Sequence, residues 1–212
     1  KLSASAIIDR MKYKAIGFDW GGVINGQPGF VFTQKFCELV GVTEAEYKEV
    51  YFRHNRAFNA GKPISERELW NRVLADLNKL DMLDAVVQFS AEYRSKKSIN
   101  KPVLELVDSL RSNGYKTGLL SNNTVEAANM MRSAEIDKHF DAFIVSAEVG
   151  LMKPEPAIYK LLCDKLGINC TELVFVDDSS RSLSSAKECG YEPVLFATHE
   201  TLIKDLQKLK IL

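Results

Sequence analysis

Residues 15–25 read AIGFDWGGVIN, and the order of residue types in that stretch decides the fold. Ala15, Ile16, Gly17 and Phe18 make a short apolar run of the kind buried in a parallel sheet, and a strand is expected over about 15–19. Gly21 and Gly22 then free the backbone for a tight turn. Asp19 thus stands at the C-terminal end of a strand, where open α/β sheets hold their ligands. Two positions on, where a second carboxylate could share that place, the chain carries Gly21.

Downstream of this strand the pattern turns helical. No convincing strand occurs from Phe30 to Ser98. Phe36, Leu39 and Val40 keep helical spacing and Gly41 reads as a stop. Thr43 and Glu46 form a capping-box signature, which Ser65 and Glu68 repeat ahead of the stripe Leu69, Trp70, Val73, Leu74 and Leu77. Another helix is expected over 82–96. Beyond Pro102 the pattern alternates: a helix over 102–112, then strands over 116–120, 142–145, 173–176 and 193–196, separated by helices. Alternation of this kind predicts a doubly wound, five-stranded parallel α/β sheet of Rossmann-like form. Residues 1–28 and 99–212 would build it, and 29–98 would be an all-helical insert.

Composition narrows the partners. The 212 residues carry 28 Lys and Arg against 28 Asp and Glu, so no net positive charge marks a nucleic-acid or membrane partner. No apolar run reaches the roughly 18 residues of a membrane helix. No G-x-G-x-x-G or Walker-type motif supports nucleotide binding. Cys37, Cys163, Cys170 and Cys189 form no C-x-x-C pair, which predicts four reduced, mostly buried thiols in a cytoplasmic protein. Lys1–Arg10 lacks the apolar stretch of a signal peptide. The sequence leaves open whether the protein is a monomer or a homodimer.

Further polar stations follow the other strands. The second strand runs into Ser121, Asn122, Asn123 and Thr124, the third is followed by Gly150–Pro154 with Lys153, and LVFV runs into Asp177 and Asp178. In a parallel sheet these ends share one edge with Asp19. Their types and order resemble the four motifs of the haloacid dehalogenase superfamily, most of whose members are magnesium-dependent phosphohydrolases. The resemblance spans about 13–200, and FNAGKPISERELW (58–70) is similar to the small helical cap of its bacterial glucose-1-phosphatase-like branch, itself similar to the phosphatase domain of soluble epoxide hydrolase. It implies Asp19 as nucleophile, Ser121 as a donor to a phosphoryl oxygen and Lys153 as a charge-balancing residue. It also implies Mg2+ held by Asp19, Asp178, the Gly21 carbonyl and, through water, Asp177. Gly22, Asn122 and Asn123 would meet the substrate, a small phosphorylated metabolite such as a sugar phosphate. Arg53, His54 and Arg56 of the insert would select it, Arg53 and Arg56 sharing a helix face.

Gly21 strains this resemblance, because in the phosphatases a second Asp there protonates the leaving oxygen and then activates water. Substrates with good leaving groups, or Asn25, His54 or a water acting in its place, would offset the loss. Dehalogenases of the same superfamily also lack that Asp, Ser121-Asn122 resembles their motif, and Tyr159 lies six residues after Lys153 as a tyrosine does in them. Against a dehalogenase stands Asp177-Asp178, a carboxylate pair that a metal-free reaction on an anion should avoid. The remaining alternative is a catalytically weak module that binds a phosphorylated ligand.

Overall fold

The computed structural model describes residues 11–60, 64–96 and 98–212. Lys1–Arg10 and part of the cap-like stretch 58–70 lie outside the described residues. Five parallel strands form one sheet: β1 (Ala15–Phe18), β2 (Lys116–Ser121), β3 (Ala142–Val145), β4 (Leu173–Asp177) and β5 (Glu192–Leu195), in the order β3-β2-β1-β4-β5. The expected doubly wound sheet is therefore present. β1 is central and every residue in it is buried, which explains its unbroken apolar run.

The alternation of side chains splits the core in two. Ile16, Phe18, Leu119, Val174 and Val176 face α5 (Lys101–Ser112) and α10 (His199–Lys208), through Val103, Leu106, Val107, Leu110, Leu202 and Leu206. On the opposite face Ala15, Leu120, Ile144 and Phe175 pack on α8 (Pro156–Leu166) through Ile158, Tyr159, Leu162 and Leu166. Gly17 and Gly118 pair across β1 and β2 on that face. A Cβ on Gly17 would stand 2.6 Å from the Phe175 ring, and one on Gly118 2.7 Å from Leu162. The two glycines are thus what lets α8 lie close against the sheet centre.

The segment between β1 and β2 begins with α1 (Gly29–Val40), α2 (Glu44–Asn59), α3 (Glu66–Asp76) and α4 (Leu83–Ser95). Phe36, Val40, Tyr47, Val50, Leu69, Trp70, Val73, Leu74 and Val86 give these helices a hydrophobic cluster of their own. Gly41 closes α1 at φ 71°, and Thr43 with Glu46 forms the full capping box of α2. Ser65 caps α3 from one side only: its hydroxyl accepts from the Glu68 amide, but the Glu68 carboxylate instead takes the Arg72 guanidinium at 2.8 Å. The chain leaves and rejoins the sheet through adjacent segments, with the Gly26 amide donating to the Ser98 carbonyl and the Asn100 amide to that of Ile24.

Two expectations are corrected. Cys163 and Cys170 form a disulfide, so the four cysteines are not all reduced; Cys37 and Cys189 are the free ones. Gly167, left-handed at φ 67°, reverses the chain at the end of α8 and brings the two Cα atoms to 5.5 Å. Of the helices expected between strands, the one between β4 and β5 is a 3-10 turn (Ser182–Ser185) followed by the short α9 (Ala186–Cys189). Among the described residues no helix is long and apolar enough to cross a membrane.

Candidate active site

The strand order reverses beside β1: β2 and β3 lie on one side of it, β4 and β5 on the other. The C-terminal ends of β1 and β4 therefore border the switch point at which doubly wound sheets bind ligands. The Asp19 amide donates to the Val176 carbonyl at 2.9 Å, which carries the β1–β4 register one residue past the strand and sets Asp19 beside Asp177. The Asn25 amide closes the following turn on the Trp20 carbonyl at 2.8 Å, and the Gly22 amide donates to the Asn25 carbonyl at 2.9 Å.

Carboxylate oxygens of Asp19, Asp177 and Asp178 lie within 4.8 Å of one another. Lys153 is their counter-ion. Only 3% exposed, its Nζ is 2.9 Å from Asp19 Oδ1 and 2.6 Å from Asp177 Oδ2. Burial alone would lower the pKa of this ammonium, but the charges of Asp177 and Asp19 outweigh it and hold the group above its ordinary value. Burial pushes Asp177 up to about 7 against the pull of Lys153. Burial and, next, the charge on Asp19 push Asp178 up to about 6, although the Gly29 amide donates to its Oδ2. When all are ionised, three carboxylates facing one ammonium leave an excess of two negative charges, which is what the raised Asp177 and Asp178 resist. One divalent cation would offset that excess, and the donor set is all hard oxygen. Among the described residues nothing donates a backbone hydrogen bond to the Gly21 carbonyl. The residues present fit the expected metal.

Lys153 is positioned by Asn122. Asn122 Nδ2 donates to the Lys153 carbonyl and Asn122 Oδ1 accepts from the Lys153 amide, both at 2.8 Å. Two neighbouring amide bonds fix the start of the lysine side chain, so the carboxamide expected to meet substrate is engaged inside the protein. Residues 13–190, most of this architecture, match the family model of the haloacid dehalogenase-like hydrolases. The chain belongs to the haloacid dehalogenase-like hydrolases.

Several relatives share parts of this hydrolase. It is 31% identical over 130 residues to the mouse protein named bifunctional epoxide hydrolase 2, a match covering 59% of this chain and 24% of that protein. The chain therefore spans about a quarter of the length of that relative. Phosphatase MT3486 of Mycobacterium tuberculosis is 26% identical, with 90% of this chain and 77% of that one covered. A protein named (S)-2-haloacid dehalogenase 4A from Burkholderia cepacia is 31% identical over 91 residues, 42% of this chain and 39% of its own. Among solved structures, a HAD-like family hydrolase from Porphyromonas gingivalis covers 94% of this chain and 98% of its own at TM-score 0.63 and 21% identity, a likeness of fold.

The other residues singled out in the sequence are placed as follows. Ser121 is buried at the end of β2. Thr124 caps α6 (Val125–Ser133) by accepting from the Ala127 amide. The Asn123 amide donates to Ser146 Oγ at 2.9 Å, and Asn123 Oδ1 accepts from the Thr124 amide. Arg53 and His54 are both engaged with Asp76 at 2.9 Å, within the helical insert. Arg56 instead pairs with Glu155, two residues beyond Lys153. Tyr159 is fully buried, stacked 4.8 Å from Tyr191 and edge-on to Phe175, and its hydroxyl donates to the Ser182 carbonyl. That is a packing position.

Sequence reading passed over Ser146, the residue directly after β3 and the first of the short α7 (Ser146–Val149). It is fully buried, takes the Asn123 amide and lies 2.6 Å from the Asn59 carbonyl of α2. It ties the loop after β2 to the insert. Its signal in the sequence is a hydroxyl directly after an apolar strand, on the ligand-binding edge of the sheet.

Proposed function

We propose that this hydrolase is a magnesium-dependent phosphatase acting on small phosphorylated metabolites through an aspartyl-phosphate on Asp19. The observation that carries the reading is the group of Asp19, Asp177 and Asp178, with Asp177 buried and the others partly so, around the Lys153 ammonium. A metal-free displacement on an anionic substrate would meet uncompensated repulsion there. Asp19, the Gly21 carbonyl, Asp178 and, through water, Asp177 are the groups to hold the ion, which when bound offsets charge and orients the phosphoryl group.

Asp19 Oδ1 is held by the Trp20 amide at 2.6 Å and by Lys153, whereas no described donor engages Oδ2. A carboxylate oxygen of Asp19 attacks phosphorus, the phosphorus–oxygen bond of the ester breaks, and the electron pair leaves with the departing oxygen. Water then attacks the phosphorus of the aspartyl-phosphate and releases inorganic phosphate and free Asp19. Lys153 stabilises negative charge through both steps. Helices 29–98 would cover the site as a cap and contribute to substrate choice.

The test is release of phosphate from p-nitrophenyl phosphate with magnesium and with a chelator. Asp19→Asn keeps the shape and the acceptor oxygen but weakens the nucleophile, and turnover should fall by at least about a thousandfold. Near-normal turnover in a folded Asp19→Asn protein, or activity indifferent to the chelator, would remove the proposal.

A further inference from the structure

Among the described residues, the insert's first helix does not cap itself. α2 and α3 begin after Thr43 and Ser65, whose hydroxyls accept from the amides three residues on. α1 begins after Pro28, which offers no side-chain acceptor, and its first turn holds no acidic residue. The leading amides of a helix need acceptors, and the positive end of its dipole favours an anion. α1 takes that anion from the sheet domain. The Gly29 amide donates to Asp178 Oδ2, across 149 positions of sequence. Asp178 is thus the cap of α1 as well as a member of the carboxylate cluster.

Close backbone surrounds that oxygen. A Cβ on Gly22 would stand 2.2 Å from Asp178 Oδ2 and 3.0 Å from the Pro28 Cα, and one on Gly29 3.3 Å from the same oxygen. Oδ2 therefore lies between the turn after β1 and the start of α1. The chain joining these two points is itself tied down, by the Gly22 amide on the Asn25 carbonyl and the Gly26 amide on the Ser98 carbonyl. A carboxylate has two oxygens and about four lone pairs, so Asp178 can keep this amide and bind a cation together. The amide draws some charge from the carboxylate but fixes its orientation, and orientation is what contacts behind a metal ligand chiefly supply.

We propose that Gly29 is a positioning residue for the metal ligand Asp178, and that magnesium and the insert are coupled through this one carboxylate. This rests on the magnesium part of the phosphatase reading and gives the insert's first residue a role in it. Coupling of this kind is reciprocal. The factor by which the amide raises magnesium affinity is the factor by which magnesium favours the Gly29–Asp178 contact. Loading the metal thereby holds the start of the insert against the site.

Magnesium binding to the metal-free protein, followed by calorimetry at pH 8, reads the coupling without turnover. Gly29→Pro removes the donor at the first position of a helix, where proline is favoured. Pro28, at φ −50° and ψ 142°, already has the extended backbone that a residue before proline needs. Gly29→Pro should weaken magnesium binding by about tenfold, whereas Gly29→Ala keeps the amide and should stay within about threefold of wild type. Hydrogen exchange is the second readout. Saturating magnesium should slow exchange of the Gly29 amide by about tenfold in wild type. In Asp178→Asn, which keeps an acceptor oxygen but not the charge, the slowing should be less than about twofold. Magnesium affinity unchanged in Gly29→Pro, an equal loss in Gly29→Ala, a Gly29 exchange rate indifferent to magnesium, or equal slowing in Asp178→Asn would overturn the coupling and leave the phosphatase reading standing. No magnesium binding by the wild type would defeat the metal of that reading and the coupling with it. If Gly29→Pro does not fold, the exchange experiment decides.

Discussion

Gly21 and Gly22 are adjacent in the chain and opposite in tolerance. A Cβ on Gly21 would meet nothing within 4 Å, and its φ lies outside the left-handed region. Gly22 sits at φ 77°, and a Cβ there would stand 2.2 Å from Asp178 Oδ2. Gly21→Asp therefore meets no steric bar to folding, but a further carboxylate beside the cluster should cost about 0.5–3 kcal/mol without metal. On the proposed mechanism it should speed alkyl phosphates more than aryl phosphates, flattening the dependence of rate on leaving-group pKa. Gly22→Ala should lower Tm and weaken magnesium binding, since the clash falls on Asp178; an unchanged Tm and metal affinity would contradict the local geometry. Asp178 itself carries a pH signature. Its pKa is pushed up to about 6 from 3.8, so between these values the folded protein holds a proton that the unfolded chain has released. This group's contribution to stability accordingly falls as pH rises through that window, and the cost persists above it. At pH 8 without metal, Asp178→Asn should raise Tm, by about 2–4 °C for each kcal/mol relieved, and should abolish the Tm gain that magnesium gives the wild type. A drop in metal-free Tm would show that the carboxylate is not strained.

At the scale of elements, the site is assembled from loops that each leave one end of a strand. The loop after β2 is tied to Lys153 by Asn122 and to the insert by Ser146. Ser146 is buried, so its removal leaves polar groups without a partner rather than returning them to water. Ser146→Ala should cost about 1–3 kcal/mol, read in urea unfolding, and should lower kcat more than a surface substitution does. A variant as stable as wild type would show that the loop holds its place without this bond. The helices were legible where local chemistry spoke for itself: Thr43 with Glu46, and Gly41, each marked a boundary that the structure bears out. Ser65 and Glu68 show the limit of such reading. The motif is present, but a local competitor, Arg72, takes the Glu68 carboxylate.

At the scale of the whole molecule, the insert has its own hydrophobic cluster, and among the described residues its contacts with the sheet domain include the Gly29 amide with Asp178, Arg56 with Glu155, Ser146 with the Asn59 carbonyl, and the Arg181 guanidinium 4.2 Å over the Phe52 ring. Arg56 and Glu155 are largely solvated, with side chains 56% and 32% exposed, so screening keeps the pair weak. Arg56→Ala should change stability by less than about 1 kcal/mol. A larger loss in urea unfolding would mean that the pair carries more of the attachment than its exposure allows.

The sequence by itself determined the strand run ending in Asp19, the order of the polar stations and the alternation that makes the sheet parallel. These are properties of residue type and period along the chain, and burial of a short apolar strand needs no distant information. Only the tertiary structure decided the Cys163–Cys170 disulfide, because a left-handed turn at Gly167 sets the distance between the sulfurs. It also decided that Tyr159 packs against Tyr191 and Phe175, that Asn122 holds the Lys153 backbone, and that Arg53 and His54 meet Asp76. Each of these is a partnership between residues distant in the chain. Which donor reaches which acceptor depends on how helices and loops pack, and a linear pattern of residue types leaves that choice open.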